Sequence, residues 1–218
     1  KAFYNCKVLD DLVIPTSVFE IGAGAFVGCG SLAHFYIEEN DYYYYDSDAK
    51  VLLRKDSHPE NPALIYALHT YLPSNAAPSY KIPDDVWKIS SYAFAENLNL
   101  TYKVVGLNVS YIESNAFVGC DNLTEAYFRS ETLTLEVDAT SNIFNAGITV
   151  YGSENATSLQ EYCLAKGLNF VPWTASIYLV FDDDEKTHTA TVNGFSEKLD
   201  QDIADGNYVF DGTLVIPA

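Results

Sequence analysis

The sequence is poor in positive charge and contains no methionine. Of its 218 residues, 12 are Lys or Arg and 30 are Asp or Glu, which gives a formal net charge of −18. Nucleic acids and anionic membrane surfaces are bound through clustered Lys and Arg, so this balance argues against either as a main partner. Because Met is absent even at residue 1, we expect a processed chain or an excerpt of a longer one.

Long apolar runs are also missing. The longest uncharged stretch, residues 61–80, contains Pro62, Pro73 and Pro78, and a membrane-spanning helix needs about 20 predominantly apolar residues. We therefore expect no membrane insertion. With 48% hydrophobic and 19% charged residues, the chain has the composition of a folded globular protein.

Cysteine is scarce, with four residues (Cys6, Cys29, Cys120 and Cys163). They are too few and too scattered for a disulfide framework, and no C-x-x-C pair offers a zinc site. We interpret them as buried, reduced, structural thiols.

Sequence motifs for catalysis are absent. The four histidines show neither H-x-x-x-H nor H-E-x-x-H spacing, and no G-x-S-x-G, P-loop or G-x-G-x-x-G motif occurs. We therefore expect no enzyme, no cofactor and no metal site. The acidic stretches 46–48 and 182–185 lack calcium-loop spacing and are interpreted as solvated turns, although a calcium-dependent module stays an alternative.

A motif that begins with Ala-Phe recurs at an interval of 23 residues, from Ala2 to Ala25 and from Ala93 to Ala116. Residues 2–6 (AFYNC) return at 25–29 (AFVGC), and residues 93–97 (AFAEN) return at 116–120 (AFVGC). Apolar residues recur seven and twelve positions after each Ala: Leu9, Leu32, Leu100 and Leu123, then Ile14, Ile37, Val105 and Phe128. A unit of this length cannot bury its own apolar face, so we expect successive coils to stack around one shared core.

Within each repeat, alternating apolar residues such as Leu12 and Ile14 predict a short half-buried strand. We expect the Phe of each motif to fill the axis of the stack. The neighbouring Ala must be small so that coils can approach one another.

The full pattern places Val, Ile, Ala-Phe, Cys and Leu at fixed spacings after Ile-Pro. It is clearest at residues 14–32 and 105–123, and at 82–100 with Asn97 in place of Cys. It resembles the BspA-type leucine-rich repeats of bacterial and some protozoan surface proteins, over roughly residues 1–173. The resemblance implies a mainly β leucine-rich-repeat solenoid with coils of about 23 residues. It also implies a location at the cell surface or outside the cell, and no shared catalytic residues.

The repeat is interrupted between Ala25 and Ala93, whose separation is almost three periods rather than one. Turn residues between β-prone runs predict a hairpin over residues 41–55 and a further strand at 63–71. We expect a β-hairpin insertion at about residues 41–80 that projects from the solenoid.

Beyond the repeats, Ser158 and Glu161 form a capping-box pattern that predicts a helix over residues 159–166, with Gly167 as its C-terminal cap. This terminal helix would cover the open end of the solenoid core. Residues 174–218 predict a short β segment, with strands at 176–181 and 187–195. Its closing Ile216-Pro217 favours the truncated start of a second repeat array, and a small independent β module is the alternative.

Exposed positions nine and eleven residues after each Ala supply the candidate binding surface. The candidate residues are Tyr36, His34, Tyr102, Tyr127 and Glu125. Stacked coils are expected to bring the three tyrosines side by side on one sheet face as an aromatic stripe. Tyr combines a rigid apolar ring with a polar tip, which suits protein or glycan contacts. The alternative is that Tyr is simply a favourable strand residue.

These observations predict a non-catalytic cell-surface or secreted scaffold that binds a protein or glycan, for adhesion or host interaction. We expect a monomer. A structural spacer that holds other domains away from a cell wall is the main alternative.

Overall fold

The structure is a computed structural model that describes residues 2–46, 51–60, 66–71, 82–83, 85–105, 108–137, 141–173, 179–181, 189–192, 209–210 and 214–215. The chain divides into two compact units. The first comprises Lys1–Gly152 and Ala156–Val171, and the second comprises Ser153–Asn155 and Pro172–Ala218.

The described part of the first unit is mainly β, with one helix. Its elements, in chain order, are β1 (Asp11–Ile14), β2 (His34–Ile37), β3 (Tyr43–Asp46), β4 (Val51–Lys55), β5 (Tyr66–Tyr71), β6 (Val86–Ile89), β7 (Tyr102–Val105), β8 (Tyr111–Glu113), β9 (Glu125–Phe128), β10 (Thr134–Glu136), β11 (Thr149–Ser153), α1 (Thr157–Lys166) and β12 (Asn169–Trp173). The strands predicted from the repeat are β1, β2, β7 and β9, and all four are confirmed.

Three sheets line the stack of coils. Strands β1 and β2 form a parallel pair, and a four-stranded sheet has the order β12-β11-β9-β7. A six-stranded sheet has the order β10-β8-β6-β5-β4-β3. The repeat period sets the register directly, because Asp11 lies opposite His34 and Tyr102 lies opposite Glu125.

The Phe of each motif fills the axis of the stack, as predicted. The rings of Phe94 and Phe117 are parallel within 2° with centroids 4.8 Å apart, and Phe144 continues the column at 5.0 Å. Ala93 and Ala116 are buried beside this column, where a larger side chain would push the coils apart. Backbone hydrogen bonds join neighbouring turns, such as Phe94 N to Ala116 O at 2.8 Å.

Each turn also requires left-handed backbone three residues after its Ala. The residues there are Asn5, Gly28, Glu96 and Gly119, with φ between 58° and 77°. Gly and Asn adopt this conformation with the least strain, which explains why three of the four coils use them.

The position four residues after each Ala carries the inward-facing Cys of the motif, or Asn97 in the third motif. Cys29 and Cys120 are buried free thiols, and each donates from Sγ to the carbonyl of the Phe in the preceding motif, at 2.9 Å in both cases. Cys163 is a buried free thiol and Cys6 is half-buried. The prediction of buried thiols is therefore confirmed for Cys29, Cys120 and Cys163, whereas Cys6 is only half-buried.

The insertion forms a hairpin, β3 with β4, as predicted. The expectation that it projects from the solenoid is wrong. Strand β5 pairs with β4 on one side and with β6 on the other, so the insertion extends the six-stranded sheet. Val51 and Leu52 are fully buried, and burial of their apolar area is the physical reason for the docking.

The insertion keeps β2 and β7 from pairing, but the turns before these strands still pack against each other. Gly24 packs closely against the ring of Tyr92. A Cβ built on Gly24 would lie only 3.3 Å from Cγ of that ring. Strands β2 and β7, however, belong to different sheets. Two turns almost three periods apart in sequence therefore stack as neighbours, while the strands that follow them do not pair.

Helix α1 ends at the αL residue Gly167 (φ 65°), which confirms the predicted cap. The capping box is wrong, because the N-cap residue is Ala156 and makes no side-chain cap hydrogen bond. Ser158 lies already inside the helix. Leu159 and Cys163 are buried against the core, as expected of an element that covers the last coil.

The second unit contains β13 (Leu179–Phe181), β14 (Thr189–Val192), β15 (Val209–Phe210) and β16 (Leu214–Val215) in a sheet of order β13-β14-β16-β15. All three pairings are antiparallel. The truncated start of a second repeat array and the small independent β module both stay predictions. The acidic turn 182–185 and part of the stretch 46–48 lie outside the described residues.

Candidate functional site

The outward face of the four-stranded sheet carries the best-defined polar and aromatic cluster among the predicted site residues. Strands β9 and β11 are parallel, with Glu125 opposite Thr149 and Tyr127 opposite Tyr151. The intervening Ala126 is buried in the core. Since successive side chains of a strand point to opposite faces, Glu125, Tyr127 and Tyr151 share the face away from the core.

Two tyrosines and one carboxylate form a compact group on that face. The rings of Tyr127 and Tyr151 are stacked, with centroids 4.5 Å apart and 5° between their planes. The Tyr127 hydroxyl donates to Glu125 Oε2 at 2.8 Å, and the Tyr151 hydroxyl donates to Glu125 Oε1 at 3.4 Å. We call Glu125, Tyr127 and Tyr151 the tyrosine clamp.

Burial and the neighbouring carboxylate both disfavour ionisation of Tyr127. Burial raises the pKa of the Tyr127 hydroxyl, and the hydrogen bond to Glu125 together with the negative charge of that carboxylate raises this pKa further. Tyr127 is therefore a neutral hydroxyl donor at physiological pH. The group presents two rigid rings and a carboxylate, which are chemical groups suited to recognition.

Tyr151 was not among the residues selected from the sequence. It follows Tyr127 one position later than the fixed period requires, so the period does not align the two. The β-prone run ITVY at residues 148–151 was the available signal, because pairing of that run with β9 places Tyr151 beside Tyr127.

The structure does not join the three predicted tyrosines into one stripe. Tyr102 and Tyr127 lie on adjacent strands of the four-stranded sheet, whereas Tyr36 lies on β2 of the two-stranded sheet. Tyr102 takes the register position opposite Glu125, and its side chain lies outside the described part of the structure. The physical reason for the separation is the insertion, which leaves β2 and β7 unpaired.

His34 and Tyr36 are exposed on β2, and 60% of Tyr36 is accessible. Nδ1 of His34 lies 3.1 Å from Asp11 Oδ1 and 3.6 Å from Asp10 Oδ1. His34 therefore belongs to an acidic group at the start of β1 and β2, and not to the tyrosine clamp.

A second aromatic group, which the sequence reasoning missed, lies on the six-stranded sheet. Trp87 packs edge-to-face against Tyr111 and His58, with centroid distances of 6.3 and 4.9 Å. The Lys88 ammonium lies 5.2 Å from the Tyr111 ring centroid and pairs with Glu113 at 2.5 Å. A lysine of the chain itself thus already occupies this aromatic surface.

The buried thiols are poor candidates for nucleophilic chemistry. Burial raises the pKa of Cys120 to about 12 and that of Cys163 to about 11, so both stay protonated at neutral pH. A nucleophilic cysteine needs the opposite shift and an accessible sulfur.

Among the residues that the structure describes, no helix combines the length and the apolar character needed to cross a bilayer.

Two solved structures resemble the fold. One is the pneumococcal vaccine antigen PcpA, with a TM-score of 0.40 and 15% identity over 77% of this chain and 56% of that one. The other is a leucine-rich cell surface protein from Faecalibacterium prausnitzii, with a TM-score of 0.37 and 19% identity over 77% of this chain and 48% of that one. The chain thus spans about half the length of each. No curated protein matches the chain.

A family model provides the decisive comparison. The model of the BspA-type leucine-rich repeat region matches six copies, over residues 1–48 and 70–170. These ranges include all four Ala-Phe motifs and the stacked Phe column. The chain therefore belongs to the BspA-type leucine-rich repeat family.

Proposed function

We propose that this chain is a non-catalytic, cell-surface or secreted repeat scaffold that binds a protein or glycan partner through the outward face of its four-stranded sheet. Repeat scaffolds of stacked coils present extended, rigid surfaces to partners. The family, and the cell-surface description of one solved structure that the chain resembles, support the proposed location. Adhesion or host interaction is the biological role that this proposal implies.

The tyrosine clamp is the observation that carries the proposal. Stacking and the shared carboxylate hold both rings, so little side-chain entropy is left to lose when a partner binds. The strand beneath is equally fixed, because Ala126 and Phe128 are fully buried. A purely structural spacer needs no such preorganised aromatic group on its surface.

The acidic charge favours a partner that is not polyanionic. With a net charge of −18 and Glu125 at the centre of the clamp, nucleic acids and strongly anionic glycans are repelled. Neutral glycans and basic or neutral protein surfaces fit better. We therefore propose a partner from these classes, bound by a monomeric scaffold.

Binding of the chain to a panel of extracellular-matrix proteins and neutral glycans tests the proposal. The decisive variant is Tyr127→Ala with Tyr151→Ala, and Tyr36→Ala is the matched control because it removes an exposed tyrosine from a different sheet. We expect the double variant to lose at least tenfold in affinity for any bound partner and the control to keep its affinity. Circular dichroism verifies that both variants are folded.

Other outcomes contradict the proposal in distinct ways. Equal binding by wild type and double variant would show that the clamp is not the recognition surface. Loss of binding in Tyr36→Ala alone would move the surface to β2. If the wild-type chain bound nothing on the panel, the spacer would become the better interpretation.

A further inference from the structure

Three side chains with metal-binding atoms converge at the start of the first two coils. Asp11 and His34 are directly opposite in the parallel pairing of β1 and β2, and Asp10 precedes Asp11. The backbone fixes Asp10 as well, because its carbonyl accepts hydrogen bonds from both Ala33 N and His34 N, at 3.1 and 3.0 Å. Residues one period apart in sequence are thus held side by side.

The two distances from His34 to the carboxylates are close to those between the ligands of a small divalent cation. One ligand atom from each of Asp10, Asp11 and His34 lies within 4.8 Å of the other two. His34 Nδ1 is 3.1 and 3.6 Å from the two carboxylate oxygens. In a tetrahedral zinc site with bonds of about 2.0–2.1 Å, neighbouring ligand atoms are about 3.4 Å apart. The distances from His34 Nδ1 to the two carboxylate oxygens therefore need to change by only a few tenths of an ångström on zinc binding.

The kind of ligand selects the kind of metal. Ca²⁺ and Mg²⁺ prefer sets of oxygen ligands, whereas an imidazole nitrogen beside carboxylates suits Zn²⁺ and its neighbours in the first transition row. Three protein ligands on an open surface leave at least one position for water or for a donor from another molecule. All three residues are exposed, so a cation can enter without any rearrangement of the core.

A cation at this position would also suit the charge of the chain. Asp10 and Asp11 each carry a carboxylate, so a divalent cation bound here would offset two negative charges of a chain with a net charge of −18.

We propose that Asp10, Asp11 and His34 form a surface site for a zinc-class divalent cation. The site lies on the two-stranded sheet and does not depend on the tyrosine clamp. Its open coordination position makes it accessible to a partner's carboxylate or imidazole, and so provides a metal-dependent contact at the first coils.

Calorimetric titration of the full chain with Zn²⁺ at pH 7.5 tests the proposal. We expect saturable binding with one site dominant, a loss of at least tenfold in affinity in His34→Ala, and a similar loss in Asp11→Asn. His58→Ala is the matched control for loss of an imidazole elsewhere, and Asp41→Asn controls for the change in net charge. Both controls should bind as wild type does.

A second measurement separates a lost ligand from a lost fold. Zn²⁺ should perturb the amide resonances of residues 10–11 and 33–35 in wild type and leave them unperturbed in His34→Ala, whose remaining spectrum is unchanged. The proposal is overturned if wild type shows no saturable Zn²⁺ binding, if His34→Ala binds as wild type does, or if Ca²⁺ binds more tightly than Zn²⁺.

Discussion

The rings of Tyr127 and Tyr151 lie parallel at 4.5 Å, and both hydroxyls are directed to the carboxylate of Glu125. This relationship depends on register. Parallel pairing of β9 with β11 sets the two tyrosines directly opposite each other, and a slip by one residue would turn one ring into the core. The same stacked coils that build the core therefore also build the surface group.

The Phe column should be the main source of stability in the later coils. Phe117 is fully buried between Phe94 and Phe144, so Phe117→Ala removes contacts to two rings and leaves a cavity. We expect a loss of about 3–5 kcal/mol in the free energy of unfolding, measured by urea denaturation. Tyr36→Ala, at an exposed position, should cost less than about 0.5 kcal/mol. Equal effects of the two variants would contradict the stacked-column description.

The turn at Gly28 should tolerate substitution less well than the helix cap at Gly167. Both have left-handed φ, +77° and +65°, but a Cβ at Gly28 would lie 3.1 Å from the backbone Cα of Asn5, whereas nothing lies within 4 Å at Gly167. Replacing a left-handed Gly by Ala costs about 1–2 kcal/mol. Gly167→Ala should show this cost alone, and Gly28→Ala should exceed it by at least about 1 kcal/mol through overpacking. Urea denaturation of both variants measures the difference, and equal costs would argue against close stacking of the first two turns.

The ion pair of Lys88 and Glu113 should make stability depend on pH. Burial raises the pKa of Glu113, but hydrogen bonds from Lys88 and from Ser91 N outweigh it, so the pKa falls below its ordinary value of 4.5. A carboxyl with a lowered folded-state pKa contributes stability that is complete above its unfolded-state pKa. That stability is lost as pH falls through the folded-state value.

Glu113→Gln isolates this contribution. At pH 7 the variant should be less stable by about 1–3 kcal/mol, because a half-buried ammonium loses its charged partner. The gap to wild type should narrow as pH is lowered from 5 towards 2. Denaturation curves at several pH values check both points, and a gap that stays constant with pH would exclude the pair as its source.

The four thiols should differ in reactivity. Burial raises the pKa values of Cys29, Cys120 and Cys163, whereas Cys6 is half-buried in the first turn. Alkylation of native protein at pH 8 should therefore label Cys6 first, and mass spectrometry of the peptides identifies the site. The other three should react at a comparable rate only after unfolding. Rapid native labelling of Cys120 would show that its turn opens easily.

Much of the first unit was predictable because its determinants are local and repeated. The spacing of Leu, Ile and Phe around each Ala-Phe motif specifies which side chains lie inside, and a short unit with one apolar face has to stack. The position of β7 and β9 and the Phe column followed from that spacing, and the Gly167 cap followed from the preference of a helix end for Gly. The failed capping box shows the limit of short patterns, since Ser158 and Glu161 have the right spacing within a helix that begins earlier.

The recognition surface was only partly predictable. Glu125 and Tyr127 were selected from their exposed positions, and their binding role stays a prediction. Tyr151 escaped because it lies one residue later than the period of 23 counted from Tyr127. Tyr36 was grouped with Tyr127 because a constant period implies one continuous sheet.

The sequence by itself determined the coil: its length, its buried face, its stacked rings and its small inward residues. Only the tertiary structure decided how the coils combine. Strand pairing depends on which strand edges meet in the fold, and these strands are far apart in sequence. The insertion pairs with β6 and buries Val51 and Leu52, and β2 and β7 are left in separate sheets. Pairing of β9 with β11 likewise brings Tyr151 to Tyr127, which no local pattern encodes.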